Sequence, residues 1–273
     1  MEEGFKVVSN RRKKKRNKNC PKQISFFDYK HGSEIEDVSY ERSISMIEKC
    51  RHEIQSDGFW IGFTDSLPAD SNSELQVEEI VSYGVGHISS NPIARYQFAL
   101  LILIAKHFQL TDSVHIYDPV FTLTERNIIK HFGFKLITHN EECSRQLGRA
   151  TIVFMMHCGK AMYNNLLKAN WGVDLQNIVL IGNSFSSYAE RFPSKTLEIE
   201  AQYLCDILPY TKEAKIPNTF IHKDVFNDTA ILTFPRTILN DVNSEFWTRE
   251  RRELNLDNDT EIIAKSKIEA FKS

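Results

Sequence analysis

Two glycines one residue apart, Gly84 and Gly86, close an apolar run. Ser89, Ser90, Asn91 and Pro92 follow, and then a long apolar stretch. Glycine permits positive φ and close backbone approach to a ligand, and exposed amides at a helix start attract anions. The stretch VSYGVGHISSNPIARYQ therefore has the parts of a loop that holds a phosphate or nucleotide, with Ser89 standing where G-x-G-x-x-G has its third glycine. The same residues also make a tight turn that holds nothing. In that case Ser90 or Asn91 caps the helix and Pro92 occupies its first turn.

Four further groups have useful chemistry. Asp118 follows a second apolar run, where an acid often binds a ribose; beside Pro119 it can equally cap its own turn. Glu141 follows a third run. His157 and Cys158 follow a fourth and are, by type, an imidazole and a nucleophilic thiol. Neighbours on a strand point to opposite faces, so adjacency does not make them a dyad, and no further ligands stand at metal-binding spacing. A buried thiol beside a hydrogen-bonded imidazole is the plainer reading. Asn183 and Ser184 follow a fifth run and offer a hydrogen-bonding lip that turn chemistry also explains.

These groups share a mouth only if the runs before them are parallel strands. Residues 78–84, 113–119, 134–140, 151–157 and 177–183 read as strands, and 92–108, 123–133 and 160–171 read as helices between them. Short β-rich runs alternating with helices indicate βαβ units, and strands apolar throughout indicate a sheet covered on both faces. The expected fold class is α/β, a Rossmann-like three-layer sandwich with a mostly parallel sheet. Two short runs within 219–235, around Asn227-Asp228, are expected to add an antiparallel hairpin at the sheet edge near the C-terminus. Residues 35–55 carry Ile44, Ile47, Cys50 and Ile54 at helical spacing, 65–74 are rich in turn formers, and 196–208 read as one helix. In such a sheet ligands bind beyond the carboxyl ends of the strands. The candidate cleft is thus Gly84, Gly86, Ser89, Ser90, Asp118, Glu141, His157, Cys158, Asn183 and Ser184.

Composition bounds the remaining classes. The chain has 273 residues, 41% hydrophobic and 26% charged, which is ordinary for a globular protein. Net charge is −2 but uneven, with ten Lys/Arg against three Asp/Glu in residues 1–30. That segment, holding RRKKKRNKN, is expected to be a disordered basic arm before a single domain over 31–273, whose motifs lie in 78–235. The arm suits nuclear import, RNA contact or simple solubility, and the acidic remainder argues against nucleic acid on the folded surface. Five widely spaced cysteines without a CxxC indicate a reduced intracellular protein. The apolar stretch FALLILIA is too short to span a bilayer. Cytoplasmic residence is expected, with the nucleus a second compartment.

The segments YGVGHISSNPIARYQFALL, YDPVFTLTE, NEE, MMHCGKAMYNNLLKANW, IGNSFSSY and FNDTAILTFP, in that order, resemble the SRR1-like family, named for a plant protein of reduced sensitivity to red light. Members commonly have Ser where His87 stands and Pro where Met156 stands. The resemblance implies an intracellular regulator tied to light signalling and circadian clock input, to regulation of heme biosynthesis in animals and, in a fungal relative, to microtubule behaviour. It implies protein partners and assigns no catalytic activity. The residues themselves leave two readings: a regulatory protein with a ligand- or partner-binding cleft, and a methyltransferase-like enzyme using S-adenosylmethionine, with a nicotinamide enzyme behind it. S-adenosylmethionine, a nucleotide or heme is the cofactor to test, His157 and Cys158 being axial heme ligands by type.

Overall fold

The computed structural model describes residues 39–68, 76–216 and 218–251, all within the compact unit Glu34–Ser273. The basic arm, most of the turn-rich segment and the charged C-terminal residues from 252 lie outside the described residues.

Helix α1 (Tyr40–Ser56) starts where the Ser39 side chain accepts from Arg42 N, and it buries Ile47, Cys50 and Ile54. Asp57 ends α1 and caps α2 (Gly58–Ser66), which buries Phe59 and Phe63 and is absent from the sequence reading. The alternating part follows: β1 (Glu79–Tyr83), α3 (Pro92–His107), β2 (Val114–Tyr117), α4 (Leu123–His131), β3 (Lys135–Leu136), β4 (Thr151–Met155), α5 (Lys160–Ala169) and β5 (Ile178–Asn183). Then come α6 (Phe185–Arg191), α7 (Ser194–Glu200), α8 (Gln202–Ile207), β6 (Lys212–Lys215), β7 (Thr229–Thr233), α9 (Arg236–Asn240) and α10 (Ser244–Thr248).

The described strands form one sheet in the order β3-β2-β1-β4-β5-β7-β6. All pairs among β1 to β5 are parallel, and β7 runs antiparallel to both β5 and β6. The strand order reverses between β1 and β4, so the chain winds outward from these two strands in opposite directions. Alternate residues of each strand enter different cores. Ile80, Ile152 and Phe154 pack with residues of α1 to α4. Val81, Val153 and Met155 pack with residues of α5, α7 and α8. Full burial on both faces is why these strands lack polar alternation.

There are three departures. The third strand is two residues long; among the described strands β3 pairs only with β2, His115 standing opposite Lys135 and Ile116 opposite Leu136. The segment read as one helix over 196–208 breaks at Ala201, whose extended φ of −156° redirects the chain. Leu197, Leu204 and Ile207 thereby all join one core. Within 219–235 only the second run forms a strand; its edge partner is β6, the charged sequence KEAK. An exposed, charged edge strand has no hydrophobic signal to read.

Candidate functional site

The parallel register brings the ends of β1, β2, β4 and β5 to one rim, and β7 begins there opposite Asn183. Backbone in the sparsely populated left-handed region gathers at this rim. Gly84 and Gly86 have φ of 71° and 83°, His157 56°, and Glu142, Cys143 and Asp228 47°, 59° and 55°.

The loop after β1 is held by two carboxylates of the chain itself. Asp118, 2% exposed, accepts from Gly86 N at 2.8 Å and from Val120 N at 3.0 Å. Burial raises its pKa, and these two amides and His87 oppose the rise. Glu125 is wholly buried and accepts from Ser89 N at 3.0 Å, Ser89 Oγ at 2.8 Å and Thr122 N at 2.9 Å. Burial pushes its pKa up, but these hydrogen bonds and the nearby His87 more than offset it, and the net shift is downward. Glu125 also closes a capping box with Thr122 at the start of α4. The α3 amides of Ile93 and Ala94 are capped by Asn91, while Ser90 is exposed.

The crevice between β1 and β4, where the strand order reverses, is filled by a thiol. A Cβ on Gly84 would lie 2.5 Å from Cys158 Sγ. Cys158 is 4% exposed, and its thiol approaches Tyr83 O at 3.5 Å. Gly86 has no such crowding, its nearest contact being Ala94 Cβ at 3.6 Å, so positive φ alone calls for glycine there.

His157 and Cys158 are drawn to Asn183 through their backbones. Asn183 Oδ1 accepts from His157 N at 2.9 Å, and its Nδ2 donates to Cys158 O at 3.1 Å and Tyr188 Oη at 2.9 Å. The His157 ring turns the other way. Its Nδ1 pairs with Gln97 Nε2 at 3.0 Å, and Gln97 Nε2 also reaches Val225 O at 3.3 Å. His157 Nε2 is enclosed without a well-formed hydrogen bond. Burial lowers the ring's pKa, opposed by Asn227 and Asp228. An enclosed Nε2 and a thiol lodged under Gly84 leave neither atom presented for axial heme ligation.

The other two predicted residues serve separate neighbours. Glu141 accepts from Tyr83 Oη at 2.5 Å and is clasped by Arg145 through Nε at 2.9 Å and Nη2 at 2.8 Å. Burial raises its pKa, yet Arg145 and Tyr83 carry the net shift downward. Ser184 caps α6 and donates to Glu213 of β6 at 2.5 Å. The structure thus brings Gly84, Gly86, Ser89, Asp118, His157, Cys158 and Asn183 into one linked rim, with Glu141 on one flank and Ser184 on the other. Sequence reasoning missed Glu125 and Gln97, and read Asn227 only as part of a late hairpin. The spacing Thr122-x-x-Glu125 announces a capping box, but its reach to Ser89 depends on the packing of two distant segments.

The SRR1 domain matches residues 46–233 of the sequence, more than half of the chain. The chain belongs to the SRR1 family. It is 33% identical over 183 residues to the protein SENSITIVITY TO RED LIGHT REDUCED 1 of Arabidopsis thaliana, covering 63% of this chain and 64% of that protein. It is 36% identical over 149 residues to an SRR1-like protein of Mus musculus, covering 52% and 60%. An SRR1-like protein of Drosophila melanogaster is 28% identical over 256 residues, covering 90% and 88%. The chain spans just under two thirds of the plant and mouse relatives. No solved structure matches the chain significantly. The SRR1 match includes every residue of the rim described above.

Proposed function

We propose that this SRR1-family chain is a regulator that acts by binding, through a Rossmann-like scaffold whose strand-end rim is presented to protein partners or a small ligand. One observation carries the reading. The rim's acids, amides, imidazole and thiol are largely engaged with one another, an arrangement that serves rigidity better than proton transfer or nucleophilic attack. Left-handed backbone concentrated at the rim supports a purpose beyond packing. Leu123, the first residue of α4 and close in sequence to the β2 strand end, is 77% exposed and offers an apolar contact. Light signalling, as in the name of the plant relative, together with clock input and regulation of heme biosynthesis, are the processes we assign. We place the protein in the cytoplasm, with entry to the nucleus through the basic arm, residues 1–30, that precedes the 31–273 domain. No described helix is long and apolar enough to cross a membrane.

The test is quantitative affinity purification from cells, comparing wild type with Leu123→Glu and with Cys158→Ala. The exposed Leu123→Glu change should remove a reproducible set of partners, while Cys158→Ala should keep them. Identical partner sets for wild type and Leu123→Glu would refute the reading.

A second reading, a methyltransferase-like enzyme, is favoured by the strand order, which also serves many S-adenosylmethionine-dependent methyltransferases. That is an analogy of fold alone. Against it, the acid after β2 already accepts from Gly86 N and Val120 N. A thermal-shift screen with S-adenosylmethionine, adenine and nicotinamide nucleotides and heme decides between the two. A ligand at one hundred times its Kd adds about 2.7 kcal/mol.

A further inference from the structure

A cavity of about 500 Å³ opens beside the rim, between α1, the start of α3 and residues 222–225, and none of the ten predicted cleft residues lines it. Its volume lies in the range of small-molecule sites, roughly 300 to 1,000 Å³. Met46, Ile93 and Val225 give it apolar wall, and the rings of Tyr96 and His222 stand 5.1 Å apart across one side.

Arg95 is the distinctive group. It is half-buried, donates from Nε to Ile88 O at 3.2 Å and from Nη2 to Ser89 O, and forms no ion pair among the described residues. A guanidinium has five donors, so Nη1 is left without a hydrogen bond among the described residues, on a cation that no described carboxylate neutralises. The acids in the lining are Glu53 and Asp224 and the other cations Lys49 and Lys223. Glu53 is already engaged by Tyr96 Oη and lies 3.8 Å from Lys49 Nζ and 3.9 Å from His222 Nε2. Three permanent cations against two acids leave a single positive excess, which matches a monoanion better than a dianion.

We propose that this groove binds a small organic carboxylate on a flat apolar body, with Arg95 as its anchor. The carboxylate meets Nη1, and the body lies along Tyr96 and the apolar wall. Because Arg95 also holds the carbonyls of the loop after β1, occupation is felt directly at the rim. The inference is independent of whether the rim serves partners.

The test uses 2-naphthoate and its neutral isostere 2-naphthamide as probes, titrated calorimetrically against the full chain. Naphthoate should bind with a Kd below about 1 mM, and the amide at least tenfold more weakly, the order expected for charge-assisted hydrogen bonds. Arg95→Met should weaken naphthoate by about tenfold or more. Since that change also frees two loop carbonyls, a Lys49→Gln/Lys223→Gln variant, altered only at exposed positions, should weaken it by about fivefold without disturbing the fold. Equal binding of acid and amide, unchanged binding in both variants, or no binding of either probe would each overturn the proposal.

Discussion

Replacing Gly84 by alanine places a methyl group 2.5 Å from Cys158 Sγ and 3.9 Å from Met162 Cε, on a residue with φ of 71°. Two separable costs follow. The left-handed conformation costs an alanine about 1–2 kcal/mol relative to glycine. Forcing a carbon into contact with a buried sulfur adds about 1–3 kcal/mol of overpacking, because the thiol lies between β1 and β4 with little room to move. Gly84→Ala should therefore destabilise by roughly 2–5 kcal/mol. Cys158→Ala removes the sulfur at the expense of a small cavity, about 1 kcal/mol. In the double variant the clash is gone and the strain remains. Its destabilisation should fall short of the sum of the singles by about 1–3 kcal/mol. Urea unfolding followed by tryptophan fluorescence, extrapolated linearly, gives the four free energies. Gly86→Ala is the control. With Ala94 Cβ 3.6 Å away it carries strain alone, and its cost should add to that of Cys158→Ala. If Gly84→Ala and Cys158→Ala add within about 0.5 kcal/mol, the thiol is not the reason for a glycine at 84 and the filled-crevice argument fails.

Two further outcomes follow from buried charges. Glu125→Gln should lose about 2–3 kcal/mol at pH 7, because three donors to the carboxylate lose a charged acceptor. Since the folded-state pKa of Glu125 lies below its ordinary 4.5, that stability is fully present above about pH 4.5 and is lost as pH falls through the lower folded value. The gap between wild type and variant, read by urea unfolding across pH, should therefore close in acid. Asp118 has the opposite sign and cancels only in part in the difference, because the Glu125 charge is one of the causes that raise its pKa. Arg251→Ala should cost about 3 kcal/mol in thermal or urea unfolding. The Arg251 side chain is 2% exposed, donates to Asp206 at 2.8 Å and lies 4.2 Å over Trp171 and 5.1 Å over Tyr203. Arg251→Lys should recover less than half of that loss, because an ammonium cannot reproduce the planar stacking.

The parts legible from sequence are those decided by local pattern. Strong apolar runs such as Thr151–Met155 and Ile178–Asn183 read as strands because both faces are buried, and Pro92 marks the first turn of α3. β6 escaped because an edge strand of Lys, Glu, Ala and Lys owes its state to hydrogen bonding with β7 rather than to its own side chains. The antiparallel end of the sheet was legible only in outline, since pairing of 212–215 with 229–233 is a contact across a long connection. At the rim, residue types were legible but partners were not. That Asn183 binds the backbone of residues 157 and 158, 26 and 25 positions away, follows from the register of β4 and β5.

The departure of the β1 loop from a phosphate-holding sequence now has a physical reason. In a nucleotide fold the amides after the first strand await an anion, and a third glycine lets the helix approach closely. Here Ser89 stands in that place, and both its amide and its hydroxyl bind one carboxylate, Glu125. A glycine at 89 would keep the amide contact and lose the hydroxyl. Gly86 N, the other donor a ligand would seek, binds Asp118. The anions that the loop's geometry calls for are thus supplied from β2 and α4, by side chains that fold with it. A phosphate would have to displace a buried carboxylate and would leave that charge enclosed without its donors, a cost of several kcal/mol. The loop keeps the shape of a ligand cradle while its chemistry ties three segments of the chain together, and the binding we propose falls instead to the exposed Leu123 and the half-buried Arg95.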